Sequence, residues 1–178
     1  MIKNNIDQWD ESYPNLEIIK NDLRAETFYI AEINSKIVGG VNIDRIQDPT
    51  YLDIDWRDKT NQFLVVHRLA VKEDEWGKGI GKSLMYFAEG LVLKMGLKSI
   101  RLDTYSGNPK AMQFYLQLGY SELGKIDLKP NKEKYHCFEK IVLWDFFNNY
   151  ISHFADKNSM SEKVKTAYAI VLGITQDA

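Results

Sequence analysis

The chain has 178 residues, 44% hydrophobic and 27% charged, enough for the core of one domain at ordinary globular proportions. A net charge of −2 argues against nucleic-acid binding through a broad basic face, and no apolar run approaches the roughly 18 residues that a membrane span needs. A single cysteine, Cys137, permits no internal disulfide and suits a reducing, cytoplasmic compartment; it and the three histidines are too scattered to hold a metal.

Residues 1–24 read as helical. Ile2, Ile6 and Trp9 share one helical face, Tyr13-Pro14-Asn15 interrupts, and the helix resumes at Leu16 with Asn15 as its N-cap. Two β-rich runs, 27–33 and 37–43, are joined by Asn34-Ser35-Lys36 and predict a hairpin, with Gly39-Gly40 as the place for a bulge. A polar stretch carrying Tyr51 and Trp56 follows over 44–60, long enough to expect a function of it. The apolar run 63–71 reads as the central strand. A helix over 82–95 ends at Gly96 and presents Leu84, Phe87, Ala88 and Leu91 as its buried stripe.

Residues 99–104 form the next strand. Asn108 and Pro109 then sign a helix start as N-cap and first helical residue, and Gly119 stops that helix. Strands at 120–126 and 136–143 flank a loop at 129–134. Amphipathic helices are predicted over 144–154 and 160–172, the second opened by the capping box Ser159-Met160-Ser161-Glu162 and closed by Gly173. Alternating strands and helices between two hairpins make a mixed α/β sheet with helices on both faces, and its ligands belong where neighbouring strands separate at their carboxyl ends.

The chemistry concentrates after the central strand, where a charged turn leads into Trp76-Gly77-Lys78-Gly79-Ile80-Gly81-Lys82-Ser83. Strand, glycine loop and helix in that order build an anion site. A helix N-terminus offers about four unpaired N–H groups and roughly half a positive charge, and glycines admit a phosphate close to the backbone. A P-loop would need glycine where Trp76 stands, and the dinucleotide fingerprint needs a different glycine spacing. The stretch instead resembles the acyl-CoA pyrophosphate loop of the GNAT superfamily of N-acyltransferases, [RQ]-x-x-G-x-[GA], with Trp76 in place of Arg or Gln. A second motif at matching order and distance strengthens the resemblance. In residues 108–120 an Asn opens a helix, Tyr115 lies near its end, and Gly119-Tyr120 starts a strand.

The resemblance covers roughly residues 9–143 and implies a GNAT-like fold for 1–143, with 144–178 as a helical extension packed on the same domain or on a partner subunit, as in a homodimer. The family usually begins with a short strand and a long helix. Only eight residues precede Trp9, so that strand and most of that helix are expected to be missing, with the C-terminal helices covering the surface they leave.

By the same resemblance, acetyl-CoA is the cosubstrate and a primary amine, on a small molecule or a polypeptide, is the acceptor, with direct attack in a ternary complex and no metal, nucleic acid or membrane. The backbone of Leu69, Ala70 and Val71 would hold the pantetheine arm, with an amide of Leu69 or Val71 polarising the thioester. Amides from Trp76 to Lys82, together with Ser83, would hold the pyrophosphate. Asn108 and Ala111 would bind the arm, and Tyr115 would protonate the leaving sulfur. An amine with a pKa near 10 must lose a proton before attack. His67, two residues before Leu69 on the strand, is the candidate base, with Asp53, Asp55, Asp103, His136 or a water chain as alternatives. Arg68 and Arg101 are expected to flank the cleft or pair with acids at its edges. The competing readings are a non-catalytic acyl-CoA sensor and a P-loop-like nucleotide binder.

Overall fold

A computed structural model describes residues 13–129 and 133–143 of the protein. The helical readings of residues 1–12, 144–154 and 160–172 lie outside the described residues. The elements run α1 (Leu16–Arg24), β1 (Phe28–Ile33), β2 (Lys36–Asp44), a 3-10 turn (Pro49–Asp53), β3 (Phe63–Val66), β4 (Ala70–Val71), α2 (Ile80–Lys94), β5 (Ser99–Tyr105), α3 (Pro109–Gln117), β6 (Ser121–Ile126) and β7 (Tyr135–Ile141). The expected caps are in place: the Asn15 side chain accepts from the Ile18 amide and the Asn108 side chain from the Ala111 amide.

The sheet order is β1-β2-β3-β5-β7-β6, with β4 paired to β2 only. β3 and β5 pair in parallel and every other pair is antiparallel. One face carries the larger core, in which Val41, Ile43, Val66, Leu102 and Phe138 meet α2 and Tyr115 and Leu118 of the α3 segment. The opposite face is covered by the 45–60 segment, whose Tyr51, Ile54 and Trp56 pack on Phe63, Val65, Tyr105 and Cys137. Among the described residues, then, α2 and α3 share one face, and the 45–60 segment covers the core on the other. The buried stripe of α2 also turns by about one residue from the expected one. Leu84, Met85, Ala88 and Val92 are buried, with Phe87 and Leu91 half-buried beside them.

A buried ion pair fastens the loop to the sheet. Glu139 on β7 accepts from Arg101 Nε at 3.2 Å, Ser99 Oγ at 2.9 Å, and the amides of Arg57 at 2.6 Å and Asp58 at 3.3 Å. The Arg101 guanidinium lies over the rings of Trp56 and Phe63 and donates to the Asp58 carbonyl. Arg101 is therefore a central pin and not a residue of the cleft's edge.

The apolar run 63–71 is not one strand. From Ile43 to Gly40, β2 advances three residues, while its partner advances four, from Val66 to Ala70. The extra residue is a β-bulge at His67-Arg68-Leu69, and bulges bend a strand and end its pairing. Past the bulge β4 stays with β2, whereas β5 continues beside β7 to Tyr105. The two parallel neighbours part there and open the sheet.

Candidate active site

A cavity of about 560 Å³ lies between the bulge that precedes β4 and the end of β5. The bulge supplies His67, Arg68 and Leu69 to its wall, β5 supplies Asp103 and Thr104, and the α3 end supplies Asn108, Ala111 and Tyr115. The 45–60 segment adds Gln47, Asp48 and Tyr51.

The backbone along β4 decides which amides face the opening. The Lys72 amide donates to the Val38 carbonyl on β2. Strand alternation therefore turns the N–H and C=O of Val71 away from β2, toward the gap. The Leu69 amide is already engaged within the bulge, donating to the His67 carbonyl at 3.0 Å. Of the two expected polarising amides, Val71 is thus the available one, and the extra residue removes the simple alternation that would put His67 and Leu69 on one face. Trp76 is half exposed, and its indole N–H donates to the Val71 carbonyl at 2.9 Å, so the residue that departs from the family pattern rests on the open edge of β4.

Beyond Trp76 the glycine loop has the conformation its sequence demands. Gly77 and Gly79 hold φ of +77° and +81°, where an L side chain is strained, and a Cβ on either would meet nothing within 4 Å. Gly79 is the N-cap of α2, and the first helical bond to reach it comes from the Ser83 amide. The amides of Ile80 and Gly81 therefore precede the helical ladder at the positive end of α2. A Cβ on Gly81 would sit 3.4 Å from Phe114, so the start of α2 packs directly beside α3. Lys78 pairs with Glu75 at 2.9 Å, and Lys82 lies over the Tyr86 ring. The helix begins two residues earlier than its sequence pattern suggests, because αL glycine makes a helix start without a side-chain cap.

On α3, Tyr115 is 7% exposed, its ring set among Phe114, Tyr120 and Phe138. Its hydroxyl has no hydrogen-bond partner among the described residues and borders the cavity. Burial, and then the Asp103 charge, push its pKa well above the ordinary phenol range, so it stays protonated at neutral pH.

His67 donates from Nε2 to Asp44 Oδ1 at 3.0 Å. Burial would raise the Asp44 carboxyl, but the hydrogen bond and charge of His67, the Ile46 amide and Arg68 together hold it below the usual range. An ionised carboxylate only accepts, so Nε2 carries the hydrogen and Nδ1 of the neutral ring is the acceptor. Asp103 accepts a 2.6 Å hydrogen bond from the Tyr51 hydroxyl, and burial raises its pKa. Arg68 is held by Asp22 of α1 at 2.6 Å and by the Tyr13 hydroxyl.

The alternatives for the base separate cleanly. Asp53 and Asp55 are exposed and outside the cavity wall, Asp55 being paired with Lys59. His136 is also outside it, bonded through Nδ1 to Glu122 at 2.7 Å. Only His67 and Asp103 of that set line the cavity. The Cys137 thiol, buried in the smaller core and pushed up to about 12 by burial and then by Asp103, stays protonated. Among the described residues no group of His, Cys, Asp and Glu is arranged to hold a metal ion, and no helix is long and apolar enough to cross a membrane.

Sequence reasoning missed Asp44 and Tyr51, whose partners lie 23 and 52 residues away. Neither residue sits in a motif. The one available signal was an aromatic residue with several acids in an unusually long connection.

A mixed sheet that opens past a β-bulge, with a glycine loop leading into the following helix, is the acyl-CoA N-acyltransferase type of fold. The chain belongs to the acetyltransferase (GNAT) family, whose sequence profile matches residues 3–120. It is similar to streptothricin acetyltransferase of Escherichia coli, at 29% identity over 121 residues, covering 67% of this chain and 62% of that protein. Human N-acetyltransferase 8B is 31% identical over 98 residues, covering 55% of this chain and 40% of its own length. The matched part spans less than two thirds of either relative. Among solved structures, a GNAT-family acetyltransferase from Streptococcus agalactiae 2603 superposes with a TM-score of 0.67 at 23% identity, over 79% of this chain and 80% of that one, a likeness of fold.

Proposed function

We propose that this protein is an N-acetyltransferase that moves an acetyl group from acetyl-CoA to a primary amine, of a small molecule or a polypeptide, by direct attack in a ternary complex. The observation that carries the proposal is Tyr115, 7% exposed and on the wall of the cavity that also takes His67 from the bulge and Asp103 from β5. The residues fit the cosubstrate. Gly77 and Gly79 leave open space where side chains would stand, the first amides of α2 suit a pyrophosphate, and the Val71 amide is turned toward the gap.

Bound acetyl-CoA would supply a thioester carbonyl and a thiolate leaving group. Trp76 to Ser83 would hold its phosphates, and Leu69 to Val71 with Asn108 and Ala111 would line its arm. His67 Nδ1 would take the amine proton, with Asp44 fixing the ring and stabilising its charged form. The Val71 amide would donate to the carbonyl oxygen as charge develops there, and Tyr115 would return a proton at the sulfur. The proposal places the protein in the cytoplasm, without nucleic-acid, membrane or metal partners.

Incubation with acetyl-CoA and a panel of primary amines, reading free thiol and the acetylated product, tests the reading. Amine-dependent thiol release supports it. Tight acetyl-CoA binding without release from any amine would instead make the protein an acyl-CoA sensor.

A further inference from the structure

Apart from Asp103 and Asp48, the shielded carboxylates that border the core or the cavity are neutralised or fully bonded; half-buried Asp48, also on the cavity wall, accepts through one oxygen from the Thr50 amide and hydroxyl. Glu139 has Arg101, Glu89 has Lys140, Asp22 has Arg68 and Asp44 has His67. Asp58 lacks a cation within ion-pair distance but accepts from the Thr60 amide, the Thr60 hydroxyl and the Gln62 amide. Asp103 is different. Among the described residues it has no lysine, arginine or histidine within ion-pair distance, and it accepts a hydrogen bond only from Tyr51. The other cations of the cavity wall are engaged, Arg68 by Asp22 and Lys129 over the Tyr13 ring.

The register explains where this carboxylate faces. In the parallel pair Val65 lies opposite Arg101 and Val66 opposite Leu102, so Asp103 would face His67 if the pairing continued. The bulge ends the pairing at that point, and both residues line the cavity. Asp103 is half withdrawn from water and has one neutral donor, so a cation arriving in the cavity would gain a carboxylate that no resident charge already holds. Tyr51, carried by the capped 3-10 turn over Pro49–Asp53, takes one carboxylate oxygen and leaves the other for such a visitor.

We propose that Asp103 is the seat for the ammonium group of the acceptor, with the Tyr51 hydroxyl as the positioning group that holds its carboxylate in place. This rests on the cavity being the acceptor site of the proposed transferase. It makes the acceptor a cation on arrival, docked on Asp103 beside His67, which then removes the proton. A neutral amine isostere would lose this contact.

The test uses the full chain saturated with CoA for binding, or with acetyl-CoA for turnover. Asp103→Asn is expected to raise the amine KM roughly 10- to 100-fold, the effect of losing a hydrogen bond to a charged group, with CoA affinity unchanged. Removing a carboxylate that only packs would lower the melting temperature, whereas removing one held for a ligand leaves it level or higher. Tyr51→Phe, which keeps the charge, is expected to raise the amine KM several-fold and serves if Asp103→Asn does not fold. Binding is read separately with n-hexylamine and equally long 1-hexanol by thermal shift. The amine should stabilise the wild type more than the alcohol, and Asp103→Asn should abolish that difference. An unchanged amine KM in both variants, a fall in kcat alone, or equal shifts from amine and alcohol in the wild type would overturn the seat. An amine-specific shift that needs Asp103, without thiol release from any amine, would keep the seat and sink the transferase reading.

Discussion

Replacing Glu139 by Gln tests whether the Arg101 pair is what holds the 45–60 loop over the sheet. The Arg101 and Glu139 side chains are 4% and 0% exposed, so removing the negative charge strands a guanidinium between Trp56 and Phe63. Gln also offers one acceptor oxygen where Glu139 now receives four donors, two on each carboxylate oxygen. Breaking a buried pair from one side costs about 3–5 kcal/mol, a large share of the roughly 5–15 kcal/mol that holds a domain folded. Glu139→Gln should shift the urea midpoint downward by an amount in that range at an unchanged slope. Combining it with Arg101→Met should restore part of the loss. The stranded charge is then gone, the Gln oxygen can serve the Arg57 and Asp58 amides, and its NH₂ can donate to Ser99. A coupling of about 1–3 kcal/mol is expected from the cycle. A single substitution within about 0.5 kcal/mol of wild type, which is the range of ordinary surface changes, would refute the reasoning, as would strict additivity in the cycle.

The remaining predictions concern the site. Tyr115→Phe should lower turnover by roughly 10²- to 10⁴-fold with CoA affinity unchanged in a binding titration, since only the proton donor is lost; equal turnover would make Tyr115 a packing residue. Gly79→Ala should cost about 1–2 kcal/mol in a urea titration, because its φ of +81° strains any Cβ while open space surrounds it, and CoA affinity should fall with it. Trp76→Arg should tighten CoA binding about tenfold in the same titration, by adding a charge-assisted phosphate contact and freeing the Val71 carbonyl. Asp44 has a folded pKa below its unfolded value of about 3.9, so its contribution to stability is present above that pH and is lost as pH falls through the folded value. Asp44→Asn should therefore flatten the acid limb of stability against pH, and an unaltered limb would contradict the pairing with His67.

The sequence alone determined the family and most of the described elements, because those signals are local. Asn15, Asn108 and Pro109 mark helix starts by their own chemistry, and Gly77 to Gly81 announce a loop that few backbones but glycine's can follow. It also brought Tyr115 and His67 forward as site candidates. Tertiary structure alone decided how the opening is made and what fills it. An apolar run from Phe63 to Val71 is uniform in composition, and only its register against β2 reveals the bulge that parts β4 from β5, turns Val71 toward the gap and ties up the Leu69 amide. The polar partners were equally illegible: Asp44 with His67, Tyr51 with Asp103 and Glu139 with Arg57 are 23, 52 and 82 residues apart. A carboxylate in a sequence reads as surface until the fold removes its water. Burial and the choice of partner are then properties of the packed sheet and of no single segment.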